Sequence, residues 1–194
     1  MVSCGVNFPE SKIAHEYLDQ FDSGLEIGGS QHNQWGLPTK NCGHSTEGTA
    51  YAAEETKLAG SALPVDVVCD GDSLPFPENS QNFVVASHVL EHFFDPIKAL
   101  KEWLRVVKPY GYVFVIFPHK ERTFDKDRPR TPLLELIERH AMPPEGRPTE
   151  DKHWTVWITE DSVNLCKFMG LHVVRVEDVD DKCGNGFTFI LQKQ

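Results

Sequence analysis

The chain lacks any apolar run near the roughly 20 residues needed to cross a bilayer. Its opening stretch, MVSCGVNFPE, has neither the basic cluster nor the apolar core of a secretory leader. No membrane span and no signal peptide are expected, and the expected compartment is the cytoplasm. Basic charge is scarce as well: 19 Lys and Arg against 29 Asp and Glu leave a formal net charge of −10. That balance argues against broad binding to nucleic acid or to an anionic membrane, both of which require a positive face. Cys4, Cys42, Cys69, Cys166 and Cys183 are odd in number, scattered, and include no C-x-x-C pair. They read as reduced thiols, not as a disulfide frame or a zinc site. The first glycine turn is not G-x-G-x-x-G and no Tyr-x-x-x-Lys pair occurs, which disfavours an NAD-dependent sugar enzyme.

What is present suits one α/β domain with a real core. Residues 65–69 (VDVVC) and 83–86 (FVVA) read as buried strands whose C-terminal ends carry Asp70 and Ser87-His88. Such strands are neighbours in a parallel sheet, and ligands of open α/β sheets bind just beyond those ends. A small polar ligand is therefore expected there. Upstream, residues 9–21 have helical spacing, and residues 24–30 (GLEIGGS) read as a short strand running into a glycine turn. Residues 39–42 allow only a short second strand, and residues 49–60 read as an Ala-rich helix ending at a glycine. Residues 89–92 begin a helix that breaks at Asp95-Pro96, and a second, amphipathic helix covers 97–107. After a KPYG turn, residues 113–117 (VFVIF) form a buried strand closed by Pro118-His119. A helix at 132–140, a last helix at 162–169, and strands at 171–179 and 186–192 around a DDKCGNG turn complete the chain.

The order D-x-D-S-L-P-F-P-x-N-S followed by V-x-x-S-H-V-L-E-H, from Asp70 to His92, resembles the central motifs of class I S-adenosylmethionine (SAM)-dependent methyltransferases, the type 11 methyltransferase-domain family in particular. The resemblance implies an α/β, Rossmann-like fold. It would have a mostly parallel seven-stranded sheet, helices on both faces and an antiparallel last strand. It also implies one methyltransferase domain over residues 1–194, with a substrate-capping insertion at about 120–158. SAM would be the cofactor and S-adenosylhomocysteine the product. In that reading Glu26, Gly28 and Gly29 face the amino-acid end of SAM. Asp70 accepts from the adenine amino group, Gly71 offers an amide to the ring edge, and Leu74 covers a ring face. Ser87 and His88 border the methionine half and the substrate entrance. The chain departs from the family at Ser30-Gln31, where a third glycine is usual, and near Gly43, where a ribose-binding carboxylate is usual. Glu47, Asn33 or His44 are the candidates to replace that carboxylate.

His119 stands at a third strand tip and is the first candidate for a general base, with His88 and His153 behind it. His88 and His92 form an i, i+4 pair, but H-V-L-E-H lacks the H-E-x-x-H order and shows no obvious third ligand, so no metal is expected. The insertion gathers Lys120, Arg122, Lys126, Arg128 and Arg130. These either pair locally with Glu121, Asp125 and Asp127, or an arginine grips a substrate carboxylate or phosphate. Arg122, His153 and Trp154 are the substrate-binding candidates. The expected activity is methyl transfer to a small-molecule acceptor, anionic in the arginine reading, and most simply O-methylation of a sugar, natural product or small acid. A catalytically inactive SAM-binding regulatory module and an N-methyltransferase are the alternatives.

Overall fold

In the computed structural model, residues 8–44, 50–146, 148 and 152–194 are described. A central sheet is built from β1 (Gly24–Ile27), β2 (Thr39–Gly43), β3 (Val67–Val68), β4 (Gln81–Ser87), β5 (Val107–Pro118), β6 (Val173–Glu177) and β7 (Gly186–Gln192). The strand order is β3-β2-β1-β4-β5-β7-β6. The first five in that order run parallel, and β7 runs antiparallel to both of its neighbours, β5 and β6. This is the sheet the sequence implied. Chain order reverses between β1 and β4, and a crevice forms beyond the strand ends at such a reversal.

Val, Ile and Phe run unbroken through the centre of β5 because that strand is covered on both faces. One cover is α1 (Lys12–Leu18), where the Ser11 hydroxyl caps the start by accepting from the Ala14 amide at 3.0 Å. Ala14 and Leu18 pack there with Trp35, Phe83, Phe114 and Ile190. The opposite face carries α3 (Pro96–Val106), α4 (Leu133–Ala141) and α5 (Thr159–Phe168), which bury Leu100, Trp103, Leu136 and Leu165 against Val113, Val115 and Phe117. Between β2 and β3 runs α2 (Ala50–Ala59).

Three segments differ from the sequence reading. The third strand shrinks to two residues because the Asp66 carboxylate accepts the Asn41 amide of β2 at 2.8 Å, standing in for a ladder carbonyl. Residues 89–92 form no α-helix; Leu90–His92 make one 3₁₀ turn. The KPYG segment is not a turn ahead of the strand but an irregular stretch inside β5. There the register jumps between Gln81↔Val107 and Phe83↔Tyr112, and Tyr110 takes a φ of 64°. Residues 28–38 cross from β1 to β2 with a single 3₁₀ turn, Gln31–Asn33, where a helix is the usual connection. Trp35, 2 % exposed, anchors that crossing edge-on to Phe114, and the buried Glu55 of α2 accepts the Gln31 amide and, at 3.2 Å, the Leu63 amide.

Candidate active site

The parallel pairing brings the C-terminal ends of β1, β2, β3, β4 and β5 to one rim, so Glu26, Asp70, Ser87, His88 and His119 gather along a single edge. At β1 the chain turns through Gly28 with a φ of 65°. A Cβ there would lie 2.9 Å from Val89, so with its positive φ Gly28 demands glycine; one on Gly29 would lie 2.6 Å from the Glu26 carboxyl carbon and would press on the ends of the Glu26 and Asn41 side chains. The Gly29 amide donates to Asn41 Oδ1 at 3.0 Å, which fixes the turn to β2. Glu26 is 6 % exposed and accepts from the Thr39 hydroxyl at 3.3 Å. Burial pushes its carboxyl up to about 7, against the Thr39 bond and the nearby Lys182 ammonium, which pull it down. Lys182 is itself buried, donates to the Pro9 and Gln34 carbonyls at 3.1 and 2.7 Å, and lies over the Trp35 ring. A cleft of about 260 Å³ opens beside Glu26, between Trp35, Thr39, Asn41 and Asp66.

Beyond β3, Asp70 closes a tight turn in which the Ser73 amide donates to its carbonyl at 2.9 Å. Its carboxylate meets His44 Nε2 at 2.8 Å. The residues that follow are held from α3, a role the sequence reading did not assign. The Trp103 indole donates to the Gly71 carbonyl at 2.7 Å, the Leu74 amide donates to Glu102 at 2.7 Å, and Arg105 reaches the Phe76 carbonyl at 2.9 Å. Gly71 lies tight against Phe93 and Ile27. Leu74, expected over a ring face, is 5 % exposed and packs in the main core. At the position usual for the ribose carboxylate, Gly43-His44, the described residues bring His44; Glu47 lies outside the described residues.

At the end of β4 the Ser87 hydroxyl is buried and meets no hydrogen-bond partner among the described residues. His88 follows with a φ of 55°, its amide tied to the Ile116 carbonyl at 3.0 Å. Its Nε2 is buried without a partner, and burial drives the ring down to about 4, so it is neutral at ordinary pH. Next comes Glu91, 0 % exposed, with neither carboxylate oxygen in a hydrogen bond among the described residues. Burial raises its carboxyl to about 8. Around its Oε1 stand His88 Nδ1 at 3.9 Å, His92 Nε2 at 3.9 Å and His153 Nε2 at 3.7 Å. His153 arrives from the insertion because the Glu91 carbonyl accepts the Trp154 amide at 2.7 Å. The other ring nitrogen of His153, Nδ1, pairs with Asp125 at 2.5 Å. The neighbour that the His88–His92 pair lacked in sequence is thus supplied by the fold.

His119 ends β5 at 9 % exposure, edge-on to Phe187. Its Nδ1 accepts the Glu121 amide at 3.1 Å, so the neutral ring carries its proton on Nε2 and can donate from there but not accept. Burial lowers its pKa, with the Arg122 charge acting in the same direction. Arg122 donates to the Asp178 carboxylate at 2.7 Å and to the Gly186 carbonyl at 2.8 Å. Arg128 pairs with Asp125 at 2.5 Å and Arg130 with Asp161 at 2.9 Å. All three arginines are engaged within the chain. His119 and Arg122 form one group beside β7, while His88 and His153 form another around Glu91. Trp154 packs edge-on to Phe94, and the Lys152 ammonium lies 3.7 Å over its ring.

The profile of a family described as "Methyltransferase domain" matches residues 25–115, from β1 into β5. Over 40 residues the chain is 52 % identical to an uncharacterized methyltransferase of Schizosaccharomyces pombe, a stretch that is 21 % of this chain and 14 % of that protein. The chain therefore spans a small part of that relative's length. A SAM-dependent methyltransferase of Methanosarcina mazei shares the fold with a TM-score of 0.55 at 20 % identity, over 94 % of this chain and 97 % of that one. Another, from Aquifex aeolicus, gives 0.51 at 18 % identity, over 89 % and 82 %. Likeness at those identities is likeness of fold. The chain thus carries a methyltransferase-domain match from β1 into β5, on a fold shared with SAM-dependent methyltransferases of known structure.

Proposed function

We propose that the chain binds SAM across the rim formed by β1, β2, β3 and β4 and catalyses methyl transfer to a small-molecule acceptor, most simply an oxygen of a sugar, natural product or small acid. The observation that carries this reading is the pair of carboxylates, Glu26 and Asp70, set at the ends of β1 and β3 on either side of a glycine turn. A buried carboxylate suits a ligand ammonium, and an acceptor-only group suits the amino edge of adenine. Gly28, at a φ of 65°, lets the backbone make the turn that carries it along the rim where the ligand would lie. The cofactor supplies a methyl group already activated by its sulfonium, so the protein's task is proximity and orientation. Ser87 and His88 border the point of transfer. His88 is the base candidate for a hydroxyl acceptor, and His119 offers an Nε2–H to an acceptor oxygen from the neighbouring strand tip. The insertion fastened at His153 and Trp154 covers that end.

The test is calorimetry with SAM and S-adenosylhomocysteine on the natural chain and on Asp70→Ala, followed by labelled-methyl transfer over a panel of hydroxyl and amine acceptors. Binding that Asp70→Ala weakens, with an O-methylated product, is the expected outcome. Amine products alone would move the chain to the N-methyltransferases. Binding without turnover across the panel would favour a SAM-binding regulatory module, a reading that His44 at the ribose position supports. Absence of binding at millimolar SAM would overturn the proposal.

A further inference from the structure

We propose that Glu91, His92 and His153 bind one divalent transition-metal ion of the zinc type, fastening the end of β4 to the insertion. This goes beyond methyl transfer and does not depend on it. Three observations carry it. First, one ligand atom from each residue lies within 4.8 Å of the others. Neighbouring ligands around a tetrahedral ion at about 2.0–2.1 Å lie about 3.3–3.4 Å apart, so each has under about 1.5 Å to close. The His92 ring, 39 % exposed, already stands edge-on to the His153 ring with centroids 4.9 Å apart. Second, Glu91 is fully buried with both oxygens lacking hydrogen-bond partners among the described residues. An isolated buried carboxylate is expensive, and such groups are paired or coordinate metals. Third, His153 presents Nε2 to the cluster while its Nδ1 is held by the buried carboxylate of Asp125. A carboxylate behind a ligating imidazole fixes its tautomer and orientation in metal sites.

The donor set names the class of ion. Two imidazoles and one carboxylate suit Zn²⁺, Co²⁺ or Ni²⁺ and ill suit Ca²⁺ or Mg²⁺, which prefer all-oxygen shells. Three protein ligands leave a further position open for water. Glu91 and His92 sit on the 3₁₀ turn after β4, and His153 lies in the insertion, so the ion would join two segments far apart in sequence.

The experiment starts from full-length protein stripped with a chelator and titrated with ZnCl₂ and, separately, with CoCl₂. Readouts are metal content after gel filtration, the visible absorption of Co²⁺, and thermal unfolding. One ion per chain, a Co²⁺ spectrum of low-coordinate N/O type and a raised Tm with Zn²⁺ are expected. His92→Ala should abolish stoichiometric binding and remove the gain in Tm that Zn²⁺ confers. Asp125→Asn should weaken affinity about 10–100-fold, as loss of a supporting carboxylate does elsewhere. Glu91→Gln separates a metal ligand from a merely structural group: it should raise the metal-free Tm yet remove the gain that Zn²⁺ confers. Zn²⁺ that leaves Tm unmoved and fails to co-elute, or that binds His92→Ala and Glu91→Gln as well as the natural chain, would overturn the proposal.

Discussion

Glu26 shows how burial sets the protonation of a single side chain. Its folded pKa of about 7 stands above the ordinary 4.5, so the folded chain holds the proton more tightly than the unfolded chain does. The sign follows: stability associated with Glu26 is full below pH 4.5 and falls as pH rises towards 7. Glu26→Gln should therefore raise Tm at pH 8 and change it little at pH 4, measured on the ligand-free protein. A ligand ammonium reverses the preference by favouring the ionised carboxylate. SAM affinity should weaken by about tenfold for each pH unit below 7 and be nearly flat with pH in Glu26→Gln, as read by calorimetry. His119 carries a second residue-scale prediction. Because its Nδ1 is occupied by the Glu121 amide, the ring serves as a donor, and Gln can replace a donor but not a base. His119→Gln should keep kcat within a few-fold. A loss of about 10²-fold or more would return the base to this position. Both residues were visible in the sequence as strand-tip groups. The state of each was not, since burial and an amide two residues on are properties of the fold.

The elements themselves divide along the same line. Strand β7 at Gly186–Gln192 and helix α4 at Leu133–Ala141 fall where apolar pattern and the Pro132 boundary put them. Elements set by a distant side chain do not. The Asp66 carboxylate cuts β3 short, and the 3₁₀ turn at Leu90–His92 forms where the Glu91 carbonyl is taken by the Trp154 amide of the insertion. Helix α3 was legible as amphipathic, but its hold on the Asp70–Leu74 loop was not, because Trp103, Glu102 and Arg105 read as ordinary helix residues. That hold is testable. Trp103→Phe keeps the ring in the core but leaves the buried Gly71 carbonyl without its donor, at a cost of about 1–3 kcal/mol. The variant should lower Tm and also weaken SAM binding, although Trp103 lies behind the loop and not on the rim. Unchanged SAM affinity at lowered Tm would show that the loop keeps its shape without α3.

For the whole molecule, the decisive feature is the strand order, which sends the chain outward from β1 in both directions and leaves every candidate ligand group at one edge. The sequence conveyed this edge through strand tips read one at a time. It could not convey that Glu91, His92 and His153 converge, since two of them precede the insertion and one closes it. A single edge implies that a ligand spanning Glu26 and Asp70 bridges β1, β2 and β3, and so stabilises the whole sheet and not one loop. At about 100 times Kd, a ligand bound only to the folded state adds about 2.7 kcal/mol. For a chain of this size each kcal/mol moves Tm by about 2–4 °C, so S-adenosylhomocysteine should raise it by about 5–10 °C. The shift should come as one sharpened transition, with far-ultraviolet and tryptophan signals moving together, because Trp35 and Trp103 report from opposite faces of the sheet. Asp70→Ala should reduce the shift at the same ligand concentration, and NAD should give none. A shift confined to the tryptophan signal would mean that the ligand orders a local segment and does not span the rim.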